Sequence, residues 1–245
     1  MSAVKSYFDT HSHNHSYQKD PNFYNELVKR IRDNNSNKNL KILDVGCGGG
    51  SFIKSMIDAG IDADFVGVDV STGMLSMAKE TLSKYHDRVE LIAIDGFDIT
   101  SKINKKFDII HMDSVLHHLI ASTQGKSMQL VHKMLSLLIS LLENKGQLII
   151  EEVYYNSFLY PKLTSKIIFY GLKILNSLKL DVSKWFPDIQ LGLEVNFMHE
   201  SELEKLLSKY SEKLIIFKND SWKVPRTYKY FLLKNFGHIS YIAQI

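Results

Sequence analysis

Ile42-Leu43-Asp44-Val45-Gly46-Cys47-Gly48-Gly49-Gly50 passes from an apolar, β-branched run into a turn almost free of side chains. Leu40 to Val45 has the composition of a strand, and the apolar spacing from about Ser51 to Ala59 predicts a helix that ends near Gly60. At such a junction glycines permit tight turning and let main-chain N–H groups approach a ligand that a Cβ atom would obstruct. The helix N-terminus behind the turn favours a carboxylate. Open α/β sheets bind ligands at this position. A turn that merely joins strand to helix is the plain alternative, so the rest of the chain has to decide.

Outward from this motif, short β-branched runs alternate with stretches of helical spacing. Strands are expected at Asp64 to Asp69, Val89 to Ile94, Phe107 to Met112 and Gln147 to Val153. Ser71 is placed to cap a helix through Leu75, Ala78 and Leu82, and Gln129 to Leu142 is apolar enough to be a largely covered helix, broken by Asn144, Lys145 and Gly146. Beyond Val153 the pattern changes: Tyr154 to Asn196 holds no clean strand and is rich in aromatic residues and lysines. A helix at Glu200 to Tyr210 follows, then strands at Lys213 to Lys218 and His238 to Ile245, which can pair antiparallel.

The expected fold is α/β: a doubly wound, Rossmann-like, seven-stranded sheet, mostly parallel with an antiparallel C-terminal strand, helices on both faces and a helical lid inserted after the fifth strand. Residues 1–245 form one domain, with 1–39 an N-terminal cap, 40–153 the ligand-binding core, 154–199 the lid and 200–245 the C-terminal helix and strand pair.

Two further acids stand at strand ends. Asp69 follows the glycine turn by about 20 residues, where a carboxylate can accept both hydrogen bonds of a ribose diol. Asp95 precedes Gly96 and Phe97, which brings a polar acceptor and an apolar surface together; a β-turn is the plain reading of that pair.

The glycine stretch, Val66-Gly67-Val68-Asp69-Val70-Ser71 and Asp95-Gly96-Phe97 together resemble the successive cofactor motifs of class I S-adenosylmethionine-dependent methyltransferases. Phe107-Asp108-Ile109-Ile110-His111 and Gly146-Gln147-Leu148-Ile149-Ile150 look like the family's fourth and fifth strands, so the resemblance spans about Leu40 to Val153. It implies S-adenosyl-L-methionine as cofactor. By resemblance Gly46, Gly48 and Gly50, with Cys47 among them, line its methionine part, and Asp44 orients the amino acid end. Asp69 holds the ribose hydroxyls, Val70 and Met74 pack on the adenine, and Asp95 accepts from the adenine amine. Gly96 and Phe97 meet the ring through their backbone, and Met112 and Asp113 lie beside the sulfonium.

Val115-Leu116-His117-His118-Leu119 resembles a segment of small-molecule methyltransferases related to ubiquinone and menaquinone biosynthesis. His117 is therefore the candidate base, with His118, Glu152 and Tyr154 beside it on the acceptor side; structural capping is the alternative for either histidine. Glu151 and Glu152 end the fifth strand, so one faces the pocket while the other faces away. Methyl transfer is an in-line displacement for which positioning supplies much of the catalysis, and a base serves acceptors that must lose a proton.

Other features bound the function. A formal net charge of +3 lacks the concentrated basic face of a nucleic-acid binder. Met112-Asp113-Ser114-Val115 also stands where amino-directed nucleic-acid methyltransferases carry an Asn or Asp-Pro-Pro-aromatic motif. The expected partner is a small, apolar or aromatic methyl acceptor. Met1 to Asp20 lacks the apolar core of a secretory signal, and the single cysteine fits a reducing, cytoplasmic compartment. No apolar run reaches the roughly 20 residues of a transmembrane helix. Lys162, Lys166, Lys173 and Lys179 mark residues 154–180 as a basic amphipathic stretch suited to a pocket wall, to peripheral membrane contact or to plain packing. His11, His13 and His15 alternate without a cysteine or close acid, so no metal is expected, and Tyr7, Phe8 and Tyr17 resemble the aromatic leader that folds over the cofactor in this family.

Two alternatives remain at this level. A nicotinamide-dependent oxidoreductase also pairs a glycine turn with a ribose-binding acid, although Ser51 stands where a Gly-x-Gly-x-x-Gly series from Gly46 needs its last glycine, and Phe52 and Ile53 defeat a series displaced by two. A non-catalytic protein that keeps the cofactor fold is the other.

Overall fold

The computed structural model describes residues 3–10, 21–34, 39–182, 192–219, 224 and 226–245. In chain order the elements are α1 (Ala3–Thr10), α2 (Pro21–Asn34), β1 (Leu40–Val45), α3 (Ser51–Asp58), β2 (Ala63–Asp69), α4 (Thr72–Thr81), β3 (Val89–Ala93) and α5 (Ile99–Lys102). There follow β4 (Phe107–Asp113), α6 (Gln124–Ser140), β5 (Leu142–Ser157), α7 (Leu163–Ser177), α8 (Glu200–Leu207), β6 (Lys213–Asn219) and β7 (Leu233–Gln244). The sheet order is β3-β2-β1-β4-β5-β7-β6. Strands β1 to β5 pair in parallel, and β7 runs antiparallel to both β5 and β6.

The chain winds outward from β1 to β3 and then returns to place β4 on the other side of β1. That reversal opens a crevice between the β1 and β4 tips. In this register Asp44 lies opposite His111, Val45 opposite Met112, and Asp113 opposite Glu151.

Each face of the sheet is buried under helices, which is why its strands carry continuous apolar runs. On one face Val131, Met134, Leu135 and Leu138 of α6 and Leu203, Leu206 and Leu207 of α8 cover Leu43, Val45, Ile110 and Met112. On the other, Phe52, Ile53 and Met56 of α3 cover Ile42, Phe65 and Ile109, together with Phe23, Leu27 and Ile31 of α2. The expected N-terminal cap thus contributes a helix to the main core, its three apolar residues recurring at the four-residue spacing of one helical face.

Several boundaries differ from expectation. Strand β5 continues to Ser157 because β7 begins at Leu233 and pairs along the whole overhang, with Tyr155 opposite Phe236 and Ser157 opposite Leu233. The helix of the expected insertion therefore starts only at Leu163, as α7, whose Ile168 and Leu172 pack on Val153 and Tyr155 of that overhang. Helix α6 begins at Gln124, ahead of its apolar stretch, because the Thr123 hydroxyl accepts from the Lys126 N–H and caps a polar first turn. Among the described residues no helix is long and apolar enough to cross a membrane.

Candidate functional site

The turn after β1 is built as its composition demands. Gly46, Gly48 and Gly50 have φ of +73°, +51° and +80°, values that L side chains rarely adopt. A Cβ on Gly46 would lie 2.4 Å from Val115 Cγ2, so the segment after β4 rests directly on the turn. Gly46 and Cys47 donate to the Val68 carbonyl at 2.8 and 3.0 Å.

Asp69 fastens the same turn from β2. One carboxylate oxygen accepts from the Gly48 N–H at 2.9 Å and the other from the Ser71 N–H at 2.8 Å. Each oxygen retains lone-pair capacity for a further donor. Burial raises the Asp69 carboxyl above its usual range, and the Asp44 charge adds to this against the pull of the N–H donors. The Cys47 thiol is raised by burial and by the Asp44 and Asp69 charges, which leaves it a neutral packing group.

Ser71 caps α4, accepting from the Met74 N–H at 3.1 Å, and donates its hydroxyl proton to Asp9 of α1 at 2.6 Å. Phe8, next to Asp9, meets the His118 ring edge-on at a centroid distance of 5.4 Å. Helix α1 thus touches both the start of α4 and the loop after β4, on either side of the crevice. Met74 reaches the turn, its Cε 3.1 Å from where a Gly48 Cβ would stand. Asp95 is exposed and accepts from the Phe97 N–H at 3.0 Å, so the plain turn role is realised there.

Beyond β4, the Nδ1–H of His117 donates to Glu152 Oε1 in a very short contact, and its backbone N–H donates to Glu152 Oε2 at 3.2 Å. Glu152 is fully buried and also accepts from the Val153 N–H at 2.8 Å. A carboxylate can only accept, so the Nδ1 proton is fixed and Nε2 carries the ring's lone pair. The His117 ring sits against His118 and Phe197, at centroid distances of 4.1 and 5.2 Å, and Phe197 stacks on Tyr155 at 4.0 Å. Asn196 donates its N–H to the His117 carbonyl at 2.8 Å and lines a cleft of about 370 Å³ with Met128, Lys166, Tyr170, Phe197 and Met198.

The sequence profile of the methyltransferase domain family matches residues 36–210, well over half of the chain. The chain belongs to this methyltransferase domain family. Residues over 78 positions are 32% identical to a malonyl-[acyl-carrier protein] O-methyltransferase of Acetivibrio thermocellus, covering 32% of this chain and 26% of that protein. Over 85 positions 35% are identical to a ubiquinone biosynthesis O-methyltransferase of Pelagibacter ubique, covering 33% of this chain and 32% of that one. The matched stretch is thus a third or less of the length of either relative. The fold is shared along almost the whole chain with a magnesium protoporphyrin IX methyltransferase of Synechocystis solved with bound S-adenosylhomocysteine, at a TM-score of 0.56 and 16% identity, covering 98% of this chain and 97% of that one.

The residues of this chain fit that cofactor. The turn presents no side chain where one would fill it, and Asp44, itself buried, has an Oδ2 with no hydrogen-bond partner among the described residues. Asp44, Gly46, Cys47, Gly48, Gly50, Asp69, Met112 and Asp113 gather at the crevice, with Val70 and Met74 leading into α4. Asp95, Gly96 and Phe97 follow β3, which borders β2 on the same side.

One expected acceptor residue is displaced. Tyr154 is fully buried in the core beneath α6 and α8, with Lys218 Nζ 5.1 Å from its ring centroid, because the longer β5 carries it past the sheet edge as a strand residue. Its neighbour Tyr155 instead stacks on Phe197, the ring that meets His117. His11, His13, His15 and Tyr17 lie outside the described residues.

The sequence reading missed a second cluster. His111 contacts Asp44 Oδ1 through Nδ1 at 2.7 Å and Glu151 Oε1 through Nε2 at 3.0 Å, and Tyr24 and Ser240 donate to Glu151 at 3.1 and 3.2 Å. His238 Nε2 lies 3.4 Å from Asp113 Oδ1. Burial lowers the His238 pKa, but the Asp113 contact outweighs it and the net direction is upward. Asp113, Glu151 and His238 bring ligand-capable atoms within 4.8 Å of one another, a grouping that an expectation of no metal did not foresee. Each has a protein partner of its own, and His238 is 125 residues from Asp113, beyond the reach of motif spacing.

Proposed function

We propose that this protein transfers the methyl group of S-adenosylmethionine by in-line displacement to a small, apolar or aromatic acceptor whose accepting atom must lose a proton. The His117–Glu152 pair carries the reading. It follows β4, on the segment whose Val115 rests against the glycine turn, and it faces an aromatic wall made by Phe197 and Tyr155.

The bound cofactor supplies an electrophilic methyl group on a sulfonium. Everything else falls to the protein. Glu152 holds the His117 ring in one orientation and one tautomer, so that Nε2 is the atom able to take an acceptor proton. The Glu152 carboxylate then stabilises the imidazolium that results. Phe197, Tyr155 and the cleft residues Met128 and Met198 offer apolar contact, which serves orientation. Helix α1, tied by Asp9 to the start of α4, supports the cap role read from Tyr7 and Phe8.

Two relatives named above are O-methyltransferases, which supports transfer to an oxygen atom. The lysines of α7 give less support to membrane docking, since Lys162 pairs with Glu202 and Lys173 with Glu194 at 2.6 Å. The test is transfer of labelled methyl from S-adenosylmethionine across a panel of phenols, hydroxy acids and amines, with products read by mass. An O-methylated product, 14 Da heavier than the phenol or hydroxy acid it came from, is expected. Cofactor binding without transfer to any panel member or to a cell extract would favour the binding-protein alternative, and nicotinamide reduction would favour the oxidoreductase.

A further inference from the structure

We propose that His111 is a positioning residue that holds Asp44 ready for the ammonium group of the cofactor's amino acid end, and that Glu151 and Tyr24 hold His111 in turn. The inference rests on S-adenosylmethionine being the cofactor.

His111 sits on β4 directly across from Asp44 on β1, at the strand tips that flank the crevice. Its ring is held on both nitrogens, by Asp44 Oδ1 at 2.7 Å and Glu151 Oε1 at 3.0 Å, and on one face by Phe52, stacked at 3.6 Å with an interplanar angle of 6°. Such a ring has no freedom to turn. At 1% exposure beneath Phe52 it cannot reach an acceptor, so its effect has to pass through the groups it touches.

Both ring nitrogens face carboxylate oxygens, and two acceptors require two N–H donors, hence an imidazolium. Burial alone would lower the pKa of this ring. The Asp44 and Glu151 carboxylates outweigh it and push the value up to about 9. The His111 Nδ1–H fixes Asp44 Oδ1 in place. That leaves Oδ2, buried and without a hydrogen-bond partner among the described residues, at the point where β1 enters the glycine turn. An unpaired buried carboxylate oxygen is costly, and an arriving ammonium relieves that cost. With a neutral, movable side chain at position 111, Asp44 could rotate toward other donors, and the ammonium would meet a poorer acceptor.

Tyr24 extends the arrangement to the N-terminal helix. Its hydroxyl donates to the same Glu151 oxygen that accepts from His111, so α2 and the amino acid end of the cofactor site share one hydrogen-bonded chain.

The test compares S-adenosylhomocysteine, which carries the amino acid end, with 5′-methylthioadenosine, which lacks it, by titration calorimetry on wild-type protein, His111→Gln, Asp44→Asn and the double variant. His111→Gln is expected to weaken S-adenosylhomocysteine about 10- to 100-fold, the range of a lost charge-assisted contact, and to leave methylthioadenosine within about twofold. The double variant should lose no more than Asp44→Asn alone, because both substitutions remove one unit. Equal losses for both ligands, unchanged affinities, or additive losses would overturn the proposal. A wild-type protein that bound neither ligand would instead remove the cofactor reading and this inference with it. Should His111→Gln not fold, nitrogen-15 spectra of the wild-type protein at pH 8 decide. A doubly protonated His111 whose Nδ1 resonance moves with S-adenosylhomocysteine and not with methylthioadenosine supports the proposal, and a neutral or unresponsive ring overturns it.

Discussion

Replacing Glu152 by glutamine tests the proposed base with a change of a single atom type. Glu152 Oε1 accepts from His117 Nδ1 and from the Val153 N–H, while Oε2 accepts from the His117 N–H. An amide has one acceptor oxygen, so in either orientation its NH₂ faces a backbone N–H that it cannot satisfy. That loss in a fully buried place costs about 1–3 kcal/mol of stability. The more favourable orientation keeps oxygen toward Nδ1 and preserves the tautomer. What disappears is the negative charge that stabilises the protonated ring. A charge-assisted hydrogen bond exceeds a neutral one by roughly 1–2 kcal/mol, so kcat should fall about tenfold for Glu152→Gln. Removing the ring in His117→Ala should cost about 10²- to 10⁴-fold. The double variant should be no slower than His117→Ala, because the carboxylate acts through the ring. The assay is initial-rate transfer of labelled methyl at saturating cofactor, with thermal melts run alongside to separate folding from chemistry. If Glu152→Gln kept kcat within twofold, or if the two losses multiplied, His117 would be a structural loop residue.

Three further outcomes follow from the geometry. His111 is lifted from 6.5 to about 9 in the folded protein, so its contribution is complete below pH 6.5 and disappears as pH rises through 9; this is worth up to roughly 3 kcal/mol, and urea midpoints should decline from pH 6.5 to 10. His111→Gln should flatten that decline, and an unchanged slope would contradict the imidazolium. Gly46→Ala places a Cβ 2.4 Å from Val115 Cγ2 at a φ of +73°, adding about 1–2 kcal/mol of left-handed backbone strain to about 1–3 kcal/mol of overpacking. Its melting temperature should drop by several degrees and Val115→Ala should restore part of it, whereas a wild-type melt would show that the turn relaxes freely. Asp69→Ala removes the acceptor of the Gly48 and Ser71 N–H groups; adenosine and S-adenosylhomocysteine should both weaken by about tenfold or more, and intact adenosine affinity would rule out a ribose contact.

What the sequence revealed and what it hid divide along a physical line. The turn from Gly46 to Gly50, the acid at Asp69 and the cap at Ser71 are local: each follows from the conformational range or hydrogen-bonding reach of a few consecutive residues. The parallel strands were legible for the same reason, through short apolar runs. Register was not. Whether Asp44 meets His111 depends on how β1 slides against β4, which tertiary packing sets, and a slip of one residue would turn His111 to the opposite face. The contact of His238 with Asp113 and that of Tyr24 with Glu151 span 125 and 127 residues, so no spacing rule could announce them. Tyr154 failed as an acceptor residue because β5 runs on to Ser157 and its ring is buried with Met198, Leu203 and Tyr241, packing partners that lie more than 40 residues away in the chain. Phe23, Leu27 and Ile31 did carry a readable helical stripe, which the polar character of the surrounding N-terminus obscured.

The adjacent glutamates within β5 face two different histidines. Alternation directs Glu151 to the face covered by α2 and α3, where it meets His111, Tyr24 and Ser240. Glu152 points the other way, into the loop after β4, where it meets His117. Each carboxylate orients one imidazole, yet the surroundings give the two rings opposite uses. His111 is held at both nitrogens, so it stays charged and can only position Asp44. His117 is held at Nδ1 and flanked by aromatic rings, so Nε2 keeps a lone pair on the side proposed for the acceptor. The pleat thereby separates the ring proposed to seat the cofactor from the ring proposed to take the acceptor proton, through two consecutive glutamates. Exchanging the pattern, with a second carboxylate against His117 Nε2, would convert the base into another fixed cation and stop transfer to any acceptor that must lose a proton, while leaving cofactor binding intact.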